Sequence, residues 1–216
     1  MSNHIRYLFR LTKAIGLSLA LAFTSGVLAV RAQALPVDAQ SNVQGFYDVL
    51  LSTMKNGRVL GQSERYARLA PVVAQVFDVP YMTRLAVGPA WASLSPAQQQ
   101  QLVDAFRHYI AATYADRFDS YSGEQLQVTG EQPYQADVIV KTKIIKADGE
   151  DTTLNYLMRQ NQGTWQIADV YLDGTISQLA VQRSEFSSIL RREGVDGLVM
   201  ALNQKVDLLS RGVAKS

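Results

Sequence analysis

Along the first half of the chain, apolar residues recur every three or four positions. In NVQGFYDVLLSTMK, Val43, Phe46, Tyr47, Leu50, Leu51 and Met54 share one face of a helix. Leu69, Val72, Val73 and Val76 repeat the spacing and predict a second helix from Glu64 to Phe77, in which Pro71 marks either a kink or the first turn. Pro80 breaks the chain ahead of a short helix from Met82 to Trp91. Ser95-Pro96-Ala97-Gln98 is a helix start, with serine at the N-cap, proline at the first helical position and glutamine at the third. The helix it opens carries Leu102, Val103, Phe106, Tyr109, Ile110, Thr113, Tyr114 and Phe118 on one broad stripe.

After Ser122-Gly123 the period shortens towards two. Gln125 to Gly130 reads as a short strand, and Ala136 to Ala147 alternates, with Val138, Val140, Thr142 and Ile144 on one face and Lys141 and Lys143 on the other. Asp148-Gly149 is a hairpin turn into Thr152 to Gln160, where Leu154, Tyr156 and Met158 face one way. Asn161-Gln162-Gly163 turns the chain again into Thr164 to Leu172. Helices then follow from Ile176 to about Arg192 and from Val195 to about Leu209, separated by Gly194. Helices, a meander and helices again predict an α+β domain, a curved four-stranded antiparallel sheet with the helices laid over one face.

Charge changes the picture at one end only. The formal charge is +2, but Arg6, Arg10, Lys13 and Arg31 all fall within residues 1–34, which hold no acid. The remainder has 17 basic and 19 acidic residues, too balanced for the basic patch of a nucleic-acid binder. HIRYLFRLTK, the apolar run AIGLSLALAFTSGVLAV and Ala32-Gln33-Ala34 together form an export signal, so residues 1–34 are expected to be cleaved and 35–216 to form a single exported, periplasmic domain.

Little points to chemistry. With no cysteine, and His108 alone beyond the signal, disulfides, thiol nucleophiles, triads and multi-histidine metal sites are excluded or nearly so. No phosphate loop, acidic metal cluster or nucleophile elbow is present. The candidate acids are Asp169 and Asp173. In a cone-like α+β fold, Asp169 could act as a general base. The alternative, preferred here, is structural: one of the two pairs with Arg183, which lies on the stripe of Ile176, Leu179, Ala180, Phe186 and Leu190, or Asp173 makes the turn with Gly174.

The stretches FDVPYMTRLAVGPAWASLSPAQQQQLVDAF (77–106), ATYADRF around Tyr114, and GTWQIADVYLDGTISQLAVQRSEFSSILRREGVDGLVMAL (163–202) resemble the MlaC family of periplasmic lipid-binding proteins, the toluene-tolerance Ttg-type proteins, which includes a hopanoid-associated branch. The matching residues are Phe77-Asp78, Gly88 to Trp91, Ser95-Pro96, Trp165 to Val170, Gly174 to Ser177, Arg183, Phe186, Gly194 and Gly197-Leu198, and Leu172-Asp173 departs from the more usual Ile-Glu or Val-Glu. The resemblance implies a cystatin- or ketosteroid-isomerase-like cone with added helices, enclosing an apolar cavity. It implies no catalytic residue, no metal and no cofactor beyond the lipid cargo. It also implies shuttling between an inner-membrane ABC-transporter complex, with its substrate-binding ring, and an outer-membrane lipoprotein–porin complex. On this reading the tails meet Val76, Phe77, Met82, Trp91, Phe106, Ile110, Tyr114, Ile176 and Phe186 from the helical side, and Val138, Val140, Leu154, Tyr156, Val170 and Leu172 from the sheet. The cargo is a phospholipid or, alternatively, a hopanoid-type lipid. The competing readings are a small-molecule enzyme using Asp169 and an adaptor that carries nothing.

Overall fold

The computed structural model describes residues 38–211, so the expected export signal at 1–34 lies outside the described residues. Helix α1, Ala39–Lys55, starts on Asp38, whose carboxylate accepts from the Ser41 amide at 2.7 Å. Helix α2, Gly57–Val76, is broken at Gly61 (φ 64°), a conformation that costs glycine little. Pro71 neither breaks the helix nor opens it; the backbone stays helical there. Asp78 caps α3, Val79–Val87, and a 3₁₀ turn, Gly88–Ser93, leads to α4, Pro96–Arg117. The capping box predicted at Ser95 and Gln98 is formed from both sides.

Four long strands follow as an antiparallel meander: β1, Gln125–Tyr134; β2, Asp137–Ile145; β3, Asp151–Asn161; and β4, Thr164–Leu172. A fifth strand, β5, Ile176–Ser177, pairs with the end of β4. Ile176, read from sequence as the first residue of a helix, is therefore on an edge strand. The first strand also runs past Gly130, because a register shift between Val128 and Gly130 lets pairing resume up to Tyr134. Helix α5, Gln178–Ser210, is capped by Ser177 and interrupted at Gly194 (φ 68°), where two helices were expected to part.

Register fixes the inner face of the sheet. Val140 opposes Tyr156, which opposes Val170; Val138 opposes Met158, which opposes Ile167. Residues paired across strands point the same way, so these six side chains form one apolar surface. Helix α1 lies on it, with the Tyr47 ring 5.9 Å from that of Tyr156 and the Asn42 amide donating to the Trp165 carbonyl at 2.8 Å. Phe77 bridges to Ile167, and the Asp78 amide donates to the Ile167 carbonyl, which docks the α2–α3 junction against β4. Arg65 holds α2 to α4 by donating to the Ala115 carbonyl at 2.8 Å, and also donates to the Gly57 carbonyl at the start of its own helix at 2.9 Å.

Candidate functional site

The interior between sheet and helices is filled by its own walls. Val140, Tyr156, Met158 and Ile167 from the sheet, and Phe46, Tyr47, Phe77, Phe106 and Phe186 from the helical side, are fully or almost fully buried. A side chain with no accessible surface has no water-sized space beside it, enclosed or open. Around these residues the walls touch and leave no water-sized space, whereas Tyr114, Val138 and Leu154 in the same layer keep accessible surface. The physical reason is that apolar walls able to touch do so, since a void of acyl-chain size forfeits both transfer and dispersion energy. Two hollows, of about 410 Å³ and 370 Å³, lie elsewhere, along α4–α5 and beside Trp91 and Pro96.

Most of the candidate residues come together. Val76, Phe77, Met82, Phe106, Ile110, Val140, Tyr156, Val170 and Phe186 are buried in one core, and Val138, Leu154, Tyr114 and Trp91 pack against it while partly exposed. Leu172 is half-buried near the end of β4. Ile176 sits apart, 49% exposed on the edge strand. Trp91 lines the hollow with Pro80, Pro96 and Val103, at the rim of the helical layer.

Aromatic rings tie the helical layer together. Tyr114 of α4 meets Phe46 at 5.1 Å and Phe77 at 5.6 Å, and Phe106 meets Phe186 edge-on at 5.2 Å. Within this apolar setting lies a small polar island. The hydroxyls of Tyr47 and Thr142 are 2.5 Å apart, and Thr142 also donates to the Leu154 carbonyl. The Tyr156 hydroxyl is enclosed without a hydrogen-bond partner among the described residues. Burial pushes the Tyr47 hydroxyl up to about 12, and raises those of Tyr114 and Tyr156 as well. Tyr47 and Thr142 were not among the candidates. Both lie on stripes that read as core, and periodicity does not show which core hydroxyls will face one another.

The chain DVYLDGTISQLAVQRSEF resolves as a joint between sheet and helix. Asp169 alternates to the face opposite Val170. Its carboxylate accepts from the Val170 and Leu179 amides at 2.7 and 3.0 Å and from the Ser177 hydroxyl at 2.5 Å. Burial pushes its pKa up, against the lowering by these three hydrogen bonds. It fastens the start of α5 to β4, with its oxygens occupied. Arg183 does not pair with it. The arginine is exposed, its guanidinium lying over Gly88, and no described carboxylate is within ion-pair reach. Its stripe neighbours Leu179 and Phe186 turn inwards while a slight rotation about the helix carries Arg183 out. Asp173, in the left-handed region at φ 51°, makes the turn with Gly174. The ion pair that reaches furthest in among the described residues is instead between buried Asp78 and half-buried Arg159 at 2.7 Å, with the Arg159 guanidinium over the Tyr81 ring at 4.1 Å. His108 is exposed, and no group of side chains able to hold a metal occurs among the described residues.

A helix-covered antiparallel sheet whose inner surface is apolar and aromatic defines the class: an α+β domain with a greasy interior. The model of the MlaC protein family matches residues 44–204, and the chain belongs to that family. Its fold is similar to that of a phospholipid-binding protein from Ralstonia solanacearum, solved in complex with a phospholipid; the match has a TM-score of 0.70 at 24% identity and covers 80% of this chain and 99% of that one. No described helix is long and apolar enough to cross a membrane.

Proposed function

We propose that this protein is a periplasmic phospholipid carrier, which takes acyl chains between the inner face of its sheet and helices α1 and α4. The observation that carries the reading is the continuous apolar layer, joining Val140, Tyr156 and Val170 to Phe46, Phe77 and Phe106, in a member of the MlaC family whose structural neighbour was solved with a phospholipid. Loading parts the layers and exchanges wall–wall contact for wall–lipid contact. A two-chain lipid has on the order of 30 methylenes, worth roughly 24 kcal/mol against water at about 0.8 kcal/mol each. A bilayer offers nearly the same, so exchange with a membrane is close to balanced and needs no nucleotide in this chain. The partners that fit are an inner-membrane ABC-transporter complex with its substrate-binding ring and an outer-membrane lipoprotein–porin complex. The candidate residues other than Ile176 are the contacts proposed for the tails.

The test is native mass spectrometry of the exported protein, with organic extraction and identification of what is bound. One phospholipid per chain is expected. Protein that remains empty after gentle purification, and takes up no lipid from vesicles, would overturn the carrier reading.

A further inference from the structure

Helix α3 presents two different faces. Val79, Met82, Thr83, Ala86 and Val87 turn into the core, while Tyr81, Arg84 and Leu85, with Gly88 at the C-cap, follow one another at helical spacing on the outside. Arginines gather along that outer row. The guanidiniums of Arg84 and Arg159 lie 5.5 and 4.1 Å from the centre of the Tyr81 ring, and that of Arg183, from α5, lies over Gly88 one turn further on. Arg159 is neutralised by Asp78 at 2.7 Å, but neither Arg84 nor Arg183 forms an ion pair with a described carboxylate. The surrounding sequence gives the reason. Residues 79–103 and 174–184 contain no aspartate or glutamate, so a chain whose charges nearly balance overall carries two uncompensated positive charges here.

Each part of this row suits a surface of phosphates. A guanidinium is a planar fork that matches phosphate oxygens, and it sheds water more readily than an ammonium. Tyr81 props two of these forks, so less side-chain freedom is lost when they engage. Its own ring and hydroxyl suit a boundary between apolar matter and water. Leu85, 36% exposed next to Arg84, is an apolar side chain that can enter a headgroup layer. The opposite face of the helix supplies Met82 to the layer proposed to take the tails. A membrane against the outer face would thus lie one helix diameter, about 10 Å, from that layer. An acidic protein face would satisfy the charges but would gain nothing from this proximity.

We propose that the outer face of α3, through Arg84, Leu85 and the adjoining Arg183, docks this protein on anionic bilayer surfaces by contact with lipid phosphates. The choice of a membrane as occupant rests on the carrier reading, since a carrier must meet the surface it draws lipid from. Each exposed arginine at such a surface contributes about fivefold to partitioning, and the contribution fades as salt screens it.

The experiment sediments delipidated protein with vesicles of dioleoyl phosphatidylcholine, with and without an equal part of dioleoyl phosphatidylglycerol, in about 0.05 M and about 0.5 M salt. Native mass spectrometry of the recovered protein reads lipid uptake separately. The wild type should bind the anionic vesicles about tenfold better or more at low salt, and lose most of that advantage at high salt. Arg84→Ala and Arg183→Ala should each lower binding to anionic vesicles about fivefold, and together about 25-fold, with urea midpoints near the wild-type value. Lys141→Ala removes an exposed charge from the sheet and should leave binding near the wild-type value. An equal loss in Lys141→Ala overturns the inference, because net charge alone would then explain the binding. Binding of both vesicles at parity also overturns it, and makes an acidic protein face the partner to seek. Uptake without selective docking sinks the docking surface and leaves the carrier standing. Docking lost in the arginine variants, from a wild type that takes up no lipid, keeps the surface and removes the carrier reading.

Discussion

Replacing Tyr156 by phenylalanine should make the empty protein more stable. The hydroxyl is buried and makes no hydrogen bond of good geometry to a described residue, its neighbours being the hydroxyls of Tyr47 and Tyr114, so folding strips it of water and returns little. That desolvation costs about 1–3 kcal/mol. Removing one oxygen leaves a void of about 10–15 Å³, which at about 24 cal/mol per Å³ costs roughly 0.3 kcal/mol. The net is a gain of about 1 kcal/mol or somewhat more, corresponding to a rise in Tm of about 2–4 °C for a domain of this size. Tyr47→Phe is the matched control. It deletes the same atom one ring away, but there the hydroxyl is bonded to Thr142, so about 1 kcal/mol is lost instead. The two variants should therefore separate by about 2 kcal/mol in opposite directions from wild type. Urea titration followed by the fluorescence of Trp91 and Trp165 measures both. The protein must be delipidated first, because a bound ligand stabilises whichever variant holds it. If Tyr156→Phe proves less stable than wild type, the hydroxyl is hydrogen-bonded in the folded protein and the reasoning fails.

Other sites make independent claims. A Cβ at Gly57 would lie 1.9 Å from the Asp119 carbonyl oxygen, so Gly57→Ala must displace that backbone and should cost about 2 kcal/mol or more in thermal unfolding. Arg183→Ala removes an exposed side chain with no described ion-pair partner, and its urea midpoint should stay within about 0.5 kcal/mol of wild type. Val140→Trp inserts a large ring where no surface is accessible; it should lose about 1–3 kcal/mol of stability as well as lipid loading, by urea titration and native mass spectrometry. For Asp169, the raised pKa means that the folded protein holds this proton more tightly than the unfolded chain. Acidification through the window between the folded value and the ordinary 3.8 thus favours folding. Stability measured relative to Asp169→Asn should rise for the wild type as pH falls from about 7 to about 4. A falling difference would show that the three hydrogen bonds, and not burial, set the titration.

What was legible in the chain was whatever is encoded over a few residues. The capping box at Ser95, the α1 stripe and the alternation of β2 all depend on neighbours within one or two turns or a single hairpin, and all appear as expected. Pro71 misled because proline is read as a break, whereas Gly61 supplies the break and a helix anchored by Arg65 tolerates one missing N–H. Ile176 shares the spacing of the helix that follows it, but pairing with Leu172 claims it for the sheet. The apolar stripe of Arg183 calls for a carboxylate, but the Asp169 oxygens are taken by amides and a hydroxyl that only the folded turn brings near. The meeting of Tyr47 with Thr142 and Tyr156 joins residues 95 and 109 positions apart, and no local period carries it.

The closed interior has a kinetic consequence. On the carrier reading, a lipid cannot enter until the layers have already separated, so opening precedes binding. The rate of loading should rise with vesicle concentration and then level off at the rate at which the empty protein opens. That plateau belongs to the protein and is indifferent to the donor membrane. Stopped-flow loading from vesicles of different headgroup composition should converge on one limiting rate, whereas a protein with a standing open cavity would keep accelerating as donor is added.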